Sequence, residues 1–211
     1  MVALDFDGTL VESNHIKDQA FETIFSDWPE YCDAMMKWHR AHNTIDRREK
    51  FRYFVEEFLN LPDRDDLIVE LTNRFGMLTR QAIIDCPLVK GAQDFLEYIH
   101  GRVAAYLISA TPLSDLKEIV KKRGLNSYFK DIYGAPINKL KIIKKIMMAE
   151  NVSTDEILFI GDSPEDQQVA GSLGIPFVGR QSDRYLNEGK NQIFPEFKQI
   201  KKHTIDYYGL L

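Results

Sequence analysis

The sequence predicts an α/β protein: a doubly wound, mostly parallel sheet interrupted early by an all-helical insertion. Three observations carry this. A short apolar run, Val2-Ala3-Leu4, feeds directly into Asp5-Phe6-Asp7-Gly8-Thr9. Two further apolar runs, 103–108 and 157–160, are long enough for buried strands and too short for helices, and each ends in polar residues that open a helix. Between the first and second runs nothing reads as a core strand, and the stretch carries helical stripes instead.

Residues 15–26 place Ile16, Ala20, Phe21, Ile24 and Phe25 close to helical spacing, and 31–41 form a second helix. Residues 48–59 repeat the stripe with Phe51, Phe54, Val55, Phe58 and Leu59. Pro62-Asp63 introduces another helix through about residue 79, whose inner face is Leu67, Leu71, Phe75 and Leu78. Pro87 and Gly91 flank the return to the core, where 92–100 is helical. The insertion is therefore set at 14–86, and the core at 1–13 and 87–211. From there strand and helix alternate: 103–109, 113–123, a short strand near 131–134, 138–150, 157–161, 165–173 and 176–179. That alternation is the mark of a doubly wound sheet. Beyond Arg180, Phe194-Pro195-Glu196 breaks the chain before a last helix over 197–208, packed by Phe197, Ile200, Ile205 and Tyr208.

Composition excludes several classes. The 211 residues suffice for one core with an inserted subdomain, and 44% hydrophobic with 28% charged residues is ordinary for a globular protein. No apolar run approaches the roughly 20 residues of a membrane span. No signal peptide precedes the first strand, so a cytoplasmic protein is expected. Cys32 and Cys86 show no metal-ligand spacing and are read as reduced and structural. A net charge of −5 leaves no electrostatic footprint for nucleic acid. Neither nucleic acid nor membrane is an expected partner, and a monomer or weak homo-oligomer is.

The chemistry gathers at strand ends. Asp5 and Asp7, two apart, lie on the same side of a regular strand and would repel. A hard cation such as Mg²⁺ resolves that repulsion, although Asp-Gly after a strand also serves simply as a turn. Ser109-Ala110-Thr111-Pro112 leads into a helix whose first N–H groups suit an anion. Ser109 alone is equally suited to capping that helix, and the two roles are compatible. Lys139 opens a Lys-rich amphipathic helix, on which most lysines are simply solvated. The strand 157–160 ends in Gly161-Asp162-Ser163-Pro164-Glu165-Asp166, where Asp166 also suits an ordinary helix N-terminus.

These four clusters, in this order, resemble the motifs of the haloacid-dehalogenase-like (HAD) superfamily, in the branch with a helical cap. Asp5-Phe6-Asp7-Gly8-Thr9, Ser109, Lys139 and the Gly161-to-Asp166 segment match in turn, and the likeness covers nearly the whole chain. The one departure is that only four residues precede Asp5, which shortens the first strand. The resemblance implies a Rossmann-like core with an all-α cap, of the phosphoglycolate-phosphatase-like or β-phosphoglucomutase-like build. It implies Asp5 as nucleophile and Asp7 as general acid and base. Mg²⁺ would be held by Asp5, the main-chain carbonyl of Asp7, and Asp162. Ser109, the Ala110 N–H and Lys139 would bind phosphate, with Asp166 behind them orienting Lys139 or a metal-bound water. Relatives that cleave C–Cl or C–P bonds lack the aspartate matching Asp7, so Asp7 points to a phosphate ester.

The resemblance thus implies a Mg²⁺-dependent hydrolase of a small phosphorylated metabolite, acting through an aspartyl-phosphate. A phosphomutase of the β-phosphoglucomutase type would use the same residues, and a catalytically idle binding module on the same fold is the reading from another class. In capped relatives, cap side chains choose the leaving group; here Lys17, His39, Asn43 and Arg47 are the candidates, with Arg48 and Lys50 nearby. A solvated cap surface is the alternative for each of them.

Overall fold

The computed structural model describes residues 1–42, 45–187, 189 and 191–209. Its sheet has six strands: β1 (Val2–Leu4), β2 (Ala105–Pro112), β3 (Asp131–Ala135), β4 (Leu158–Gly161), β5 (Phe177–Arg180) and β6 (Gln192–Phe194), in the order β3-β2-β1-β4-β5-β6. All five pairings are parallel. The three residues of β1 are wholly buried, as befits a central parallel strand covered on both faces. From β1 the chain builds outward through β2 and β3, then returns to the other side of β1 to build β4, β5 and β6. The order of strands therefore reverses at β1, where open α/β sheets bind ligands beyond the strands' carboxyl ends.

Around the sheet pack α5 (Ala92–Ile99), α6 (Leu113–Lys122), α7 (Lys139–Glu150), α8 (Pro164–Leu173) and α9 (Phe197–Tyr208), with α1 to α4 lying earlier in the chain. Ala3, Tyr106, Ile108, Phe159 and Phe177 of the sheet form one core with Ile142, Ile143 and Ile146 of α7 and Val169 and Ala170 of α8. The chain divides into two compact units, Met1–Ser13 with Cys86–Leu211, and Asn14–Asp85.

The second unit is all helical: α1 (Asn14–Phe25), α2 (Pro29–Ala41), α3 (Arg47–Tyr53) and α4 (Asp65–Asp85). Its core is aromatic, with Phe21, Phe25, Phe51, Phe54 and Phe75 packed around Ile24, Met35 and Ile68. Phe51 is fully buried and meets Phe25 and Phe75 edge-on. Phe51→Ala is expected to destabilise this unit by about 3–5 kcal/mol, read as a fall in its urea midpoint.

Four local features differ from expectation. The single helix over 48–59 is α-helical only to Tyr53 and then turns through a π-helix, Phe54–Phe58. The Leu59 N–H bonds to the Phe54 carbonyl at 3.1 Å. Phe54 and Val55 are both buried there, and Phe58 packs edge-on against Tyr31 and Tyr53. Helix α4 runs six residues past 79, and its buried face is Ile68, Leu71, Phe75, Thr79 and Ile83; Leu78, expected on that face, is exposed. Strand β2 extends past 109 to Pro112 through a shift of register after Ile108. The three-residue edge strand β6 was not expected; such a segment is too short to show a period. No helix among the described residues is long and apolar enough to cross a membrane.

Candidate active site

The site lies in the sheet unit. Asp5 follows β1 directly, and its N–H bonds to the Ile160 carbonyl of β4 at 2.9 Å, which carries the parallel ladder up to the carboxylate. Asp162 follows β4 in the same way. Asp5, Asp162 and Asp166 are all buried and offer carboxylate oxygens within 4.8 Å of one another. Thr9, fully buried, binds two of the three: its Oγ1 lies 3.1 Å from Asp5 Oδ2 and 3.4 Å from Asp162 Oδ1.

Lys139 is the cation that serves this cluster. It is the first residue of α7, after Asn138, whose side chain accepts the Lys141 N–H and so starts the helix. Its Nζ donates to Asp5 Oδ1 at 2.7 Å and to Asp166 Oδ1 at 2.6 Å, with 5% of the residue exposed. The other Asp166 oxygen accepts from the Ser163 hydroxyl at 2.6 Å and from its N–H at 3.2 Å. The Asp166 N–H returns a bond to Ser163 Oγ, a reciprocal capping box at the start of α8. One aspartate thus both caps a helix and orients the lysine. Gly161 makes this possible, since a Cβ there would sit 2.6 Å from Asp166 Cβ and 2.7 Å from its Oδ2.

Burial, the largest influence, pushes the Asp5 carboxyl up to about 7; Lys139 opposes this, while Asp166 and Asp162 add to it. Burial alone would lower the Lys139 ammonium, but the charges and hydrogen bonds of Asp166 and Asp5 outweigh it and raise its pKa. Against three buried carboxylates stand the Lys139 ammonium, on Asp5 and Asp166, and the exposed Arg184 guanidinium, 4.0 Å from Asp162 Oδ2, which leaves the cluster one positive charge short. The single Thr9 proton can serve only one of Asp5 and Asp162 at a time. This all-oxygen, negatively charged donor set fits a hard divalent cation.

Asp7 sits in a different shell. Its Oδ1 accepts from Ser13 Oγ at 2.8 Å, and its Oδ2 from Thr111 Oγ1 at 2.8 Å and Ser109 Oγ at 3.3 Å. Ser109 Oγ in turn accepts the Thr111 N–H at 3.0 Å. The Asp7 side chain is therefore surrounded by hydroxyls and stands apart from the three-carboxylate group. Ala110 lies exposed on β2 between Ser109 and Thr111. At the end of β5, Arg180 clamps the turn after Asp7, donating to the Gly8 carbonyl at 3.0 Å and to Glu12 Oε1 at 2.5 Å.

In the helical unit, His39 is buried, with Nε2 2.9 Å from Asp18 Oδ1 and Nδ1 2.8 Å from Lys50 Nζ. An ammonium can only donate, so Nδ1 is the acceptor, and Nε2–H donates to Asp18. Burial lowers the pKa of His39, its hydrogen bond to Asp18 opposing this, and burial brings Lys50 down to about 8. Lys17 lies half-buried on α1, and Arg47 opens α3 with its guanidinium 5.8 Å over the Phe75 ring. Asn43 lies outside the described residues.

Sequence reasoning singled out Asp5, Asp7, Ser109, Lys139, Asp162 and Asp166, and the structure brings all six into the sheet unit's strand ends. It passed over the roles of Thr9, Ser13, Thr111, Ser163 and Arg180. Of these, only Ser163 carried a local signal, the Ser-x-x-Asp spacing of a capping box.

The model of the haloacid dehalogenase-like hydrolases matches residues 2–180. No curated protein sequence matches the chain. Among solved structures, a predicted phosphoglycolate phosphatase from Haemophilus somnus is 19% identical, with 97% of each chain covered and a TM-score of 0.76. The magnesium-bound HAD-hydrolase YfnB from Bacillus subtilis is 16% identical, with 96% of each chain covered and a TM-score of 0.72. CbbY from Rhodobacter sphaeroides, in complex with xylulose-(1,5)bisphosphate, is 14% identical, with 93% of each chain covered and a TM-score of 0.70. At these identities the likenesses speak for the fold, while the family match spans sheet and insertion alike. With strand order and motif residues agreeing, the chain belongs to the haloacid dehalogenase-like hydrolases, a family of enzymes.

Proposed function

We propose that the protein hydrolyses a phosphomonoester of a small metabolite through an aspartyl-phosphate on Asp5. The observation that carries this is the pairing of two unlike aspartates two residues apart. Asp5 is fixed by Lys139 and Thr9 inside a carboxylate cluster, and Asp7 is held by three hydroxyls. Such a division of environments separates a nucleophile from a proton carrier.

Asp5, Asp162 and the Asp7 carbonyl would hold a magnesium ion, whose charge would screen Asp5 from an anionic phosphate. The magnesium-bound relative and the bisphosphate-bound one support this choice of ion and ligand class. Asp5 attacks phosphorus as the bond to the leaving oxygen breaks, and Asp7 gives that oxygen a proton. Asp7 then takes a proton from water as the water attacks phosphorus, releasing phosphate and restoring the Asp5 carboxylate. Lys139 and the Ser109 hydroxyl bind phosphate oxygens, Ser109 turning from Asp7 to do so. Asp166 acts through Lys139, fixing its ammonium toward Asp5.

Phosphate release across phosphorylated sugars, short phospho-acids and nucleotides tests the reading. Release with magnesium that stops on adding EDTA is the expected result; no release from any compound with any divalent metal overturns it. Asp7→Asn is expected to give a burst of leaving group from p-nitrophenyl phosphate, then turnover slowed by about 10²–10⁴-fold as the phospho-aspartate persists. Rapid-quench kinetics on that variant would show the burst.

A further inference from the structure

One side chain from outside the motifs grips the turn that carries Asp7. The chain leaves β1 through a tight turn in which the Phe6 carbonyl accepts the N–H groups of Thr9 at 3.3 Å, Leu10 at 2.9 Å and Val11 at 3.3 Å. Gly8 lies inside that turn at φ +76°, in the left-handed region that residues with a side chain rarely adopt. Its N–H donates to the Val11 carbonyl at 2.9 Å, within the turn. Its carbonyl is held from another strand, by Arg180 Nη1 at 3.0 Å. Arg180 is the last residue of β5, one past the Gly161–Gly179 pair, and so stands level with Asp162 at the carboxyl edge of the sheet. From there it reaches past β4 to the turn after β1, with its side chain 12% exposed. Its Nη2 donates to Glu12 Oε1 at 2.5 Å, and Glu12 is itself fixed by its N–H on the Pro87 carbonyl at 3.0 Å.

The peptide between Gly8 and Thr9 matters because of what flanks it. Asp7 lies directly before it, its side chain held by the hydroxyls of Ser13, Thr111 and Ser109. Thr9 lies directly after it, and its hydroxyl reaches Asp5 and Asp162. Glycine rotates about φ and ψ at less cost than other residues, so a turn built on one needs a restraint from outside to keep a single geometry. A guanidinium supplies it. Its two Nη atoms have a fixed spacing in one plane, so Glu12, by fixing one, aims the other at the Gly8 carbonyl. A misplacement of about 1 Å costs on the order of 10²-fold in rate, which makes such a restraint matter to a proton transfer.

We propose that Arg180 is a positioning residue for the proton transfer: by holding the Gly8 carbonyl, with Glu12 anchoring its other arm, it keeps Asp7 aimed at the leaving oxygen. The inference rests on the proposed hydrolase function, with Asp7 as the proton carrier. Arg180 acts through the turn and not on the substrate, so its loss should matter in proportion to the leaving oxygen's need for a proton.

The test uses the whole protein with magnesium. Arg180→Lys keeps the charge and loses the fork. Its kcat/KM is compared with wild type for ethyl phosphate, whose leaving oxygen needs a proton, and for p-nitrophenyl phosphate, whose leaving oxygen departs with little help. A fall of about tenfold or more with the first and of less than about threefold with the second is expected. In an Asp7→Asn background the same change should cost less than about twofold, because there is no proton left to aim. Equal falls with both esters, or a full further loss on top of Asp7→Asn, would overturn the role. Glu12→Gln, with Arg180 in place, should move the ratio of the two esters in the same direction by less. Amide exchange reads the grip without turnover. Gly8 and Thr9 should exchange about tenfold faster in Arg180→Lys, and Leu4 at its wild-type rate. Unchanged exchange at both overturns the grip. If the wild type hydrolyses neither ester, the hydrolase reading falls, and the exchange still decides whether Arg180 holds the turn.

Discussion

Asp5→Asn is expected to reduce phosphate release by about 10⁴-fold or more, the scale seen when a nucleophile is lost. The amide keeps the shape of the side chain and can still accept from Lys139, which lies 2.7 Å from Asp5 Oδ1. It cannot attack phosphorus or carry the acyl phosphate. The same change should leave the metal-free fold as stable as before or more so. Burial holds the Asp5 carboxyl at about 7 against an ordinary 3.8. Between those values the folded protein keeps a proton that the unfolded chain has lost, so this group's contribution to stability falls as pH rises across that window. Asn lacks that fall. The thermal midpoint of the variant, measured in EDTA, should therefore gain on wild type between pH 4 and 7. Full turnover in Asp5→Asn would remove the nucleophile from the mechanism, whatever the stability showed.

The fold was legible wherever one residue type repeats with a period or a strand meets a helix. Helices α1 and α2 begin and end within a few residues of expectation because their apolar stripes are regular. Strand β4 stands out because four buried apolar residues end in glycine and aspartate. What stayed hidden is what neighbours decide. The π-turn after Tyr53 falls within the stripe of Phe54, Val55 and Phe58, which a regular α-helix would show equally, so the sequence carries no mark of it. Strand β6 exists because β5 offers an edge at Val178–Arg180.

The site divides in the same way. Asp5, Asp7 and Asp162 follow strands directly, so their place at the sheet's carboxyl edge could be inferred from order alone. Ser13 is a single hydroxyl with no pattern around it, while Thr9 and Thr111 lie inside motifs that do not say which carboxylate each would reach. Thr111 reaches Asp7 only because β2 lies beside β1 and runs on past Ser109. Asp166 shows why a bland reading and a functional one need not compete, since its Oδ2 caps α8 while its Oδ1 aims Lys139.

Lys139→Met should be the most damaging substitution for fold and chemistry together. Lys139 is the ammonium that both Asp5 and Asp166 contact. Removing one partner of a buried charge pair costs about 3–5 kcal/mol, because the remaining charges keep their desolvation penalty. Here three buried carboxylates would remain within 4.8 Å of one another. Lys139 is what opposes the rise of the Asp5 carboxyl, so without it the folded pKa of Asp5 rises further above the unfolded one. With the folded state then binding more protons, its stability falls as pH rises above about 4, more steeply than in wild type. The deficit against wild type should accordingly be small near pH 5 and large near pH 8, a contrast that urea titrations at the two pH values would read. Turnover should fall by about 10²–10³-fold even at the lower pH, where the variant is best folded, because a phosphate-binding charge is missing. Lys139→Arg separates the two losses. Its guanidinium restores the charge in a larger, planar group that the 2.6 and 2.7 Å contacts do not fit. It should recover stability at pH 8 more fully than it recovers turnover. Equal recovery of both would mean that Lys139 acts by charge alone, and that its precise aim by Asp166 contributes nothing to catalysis.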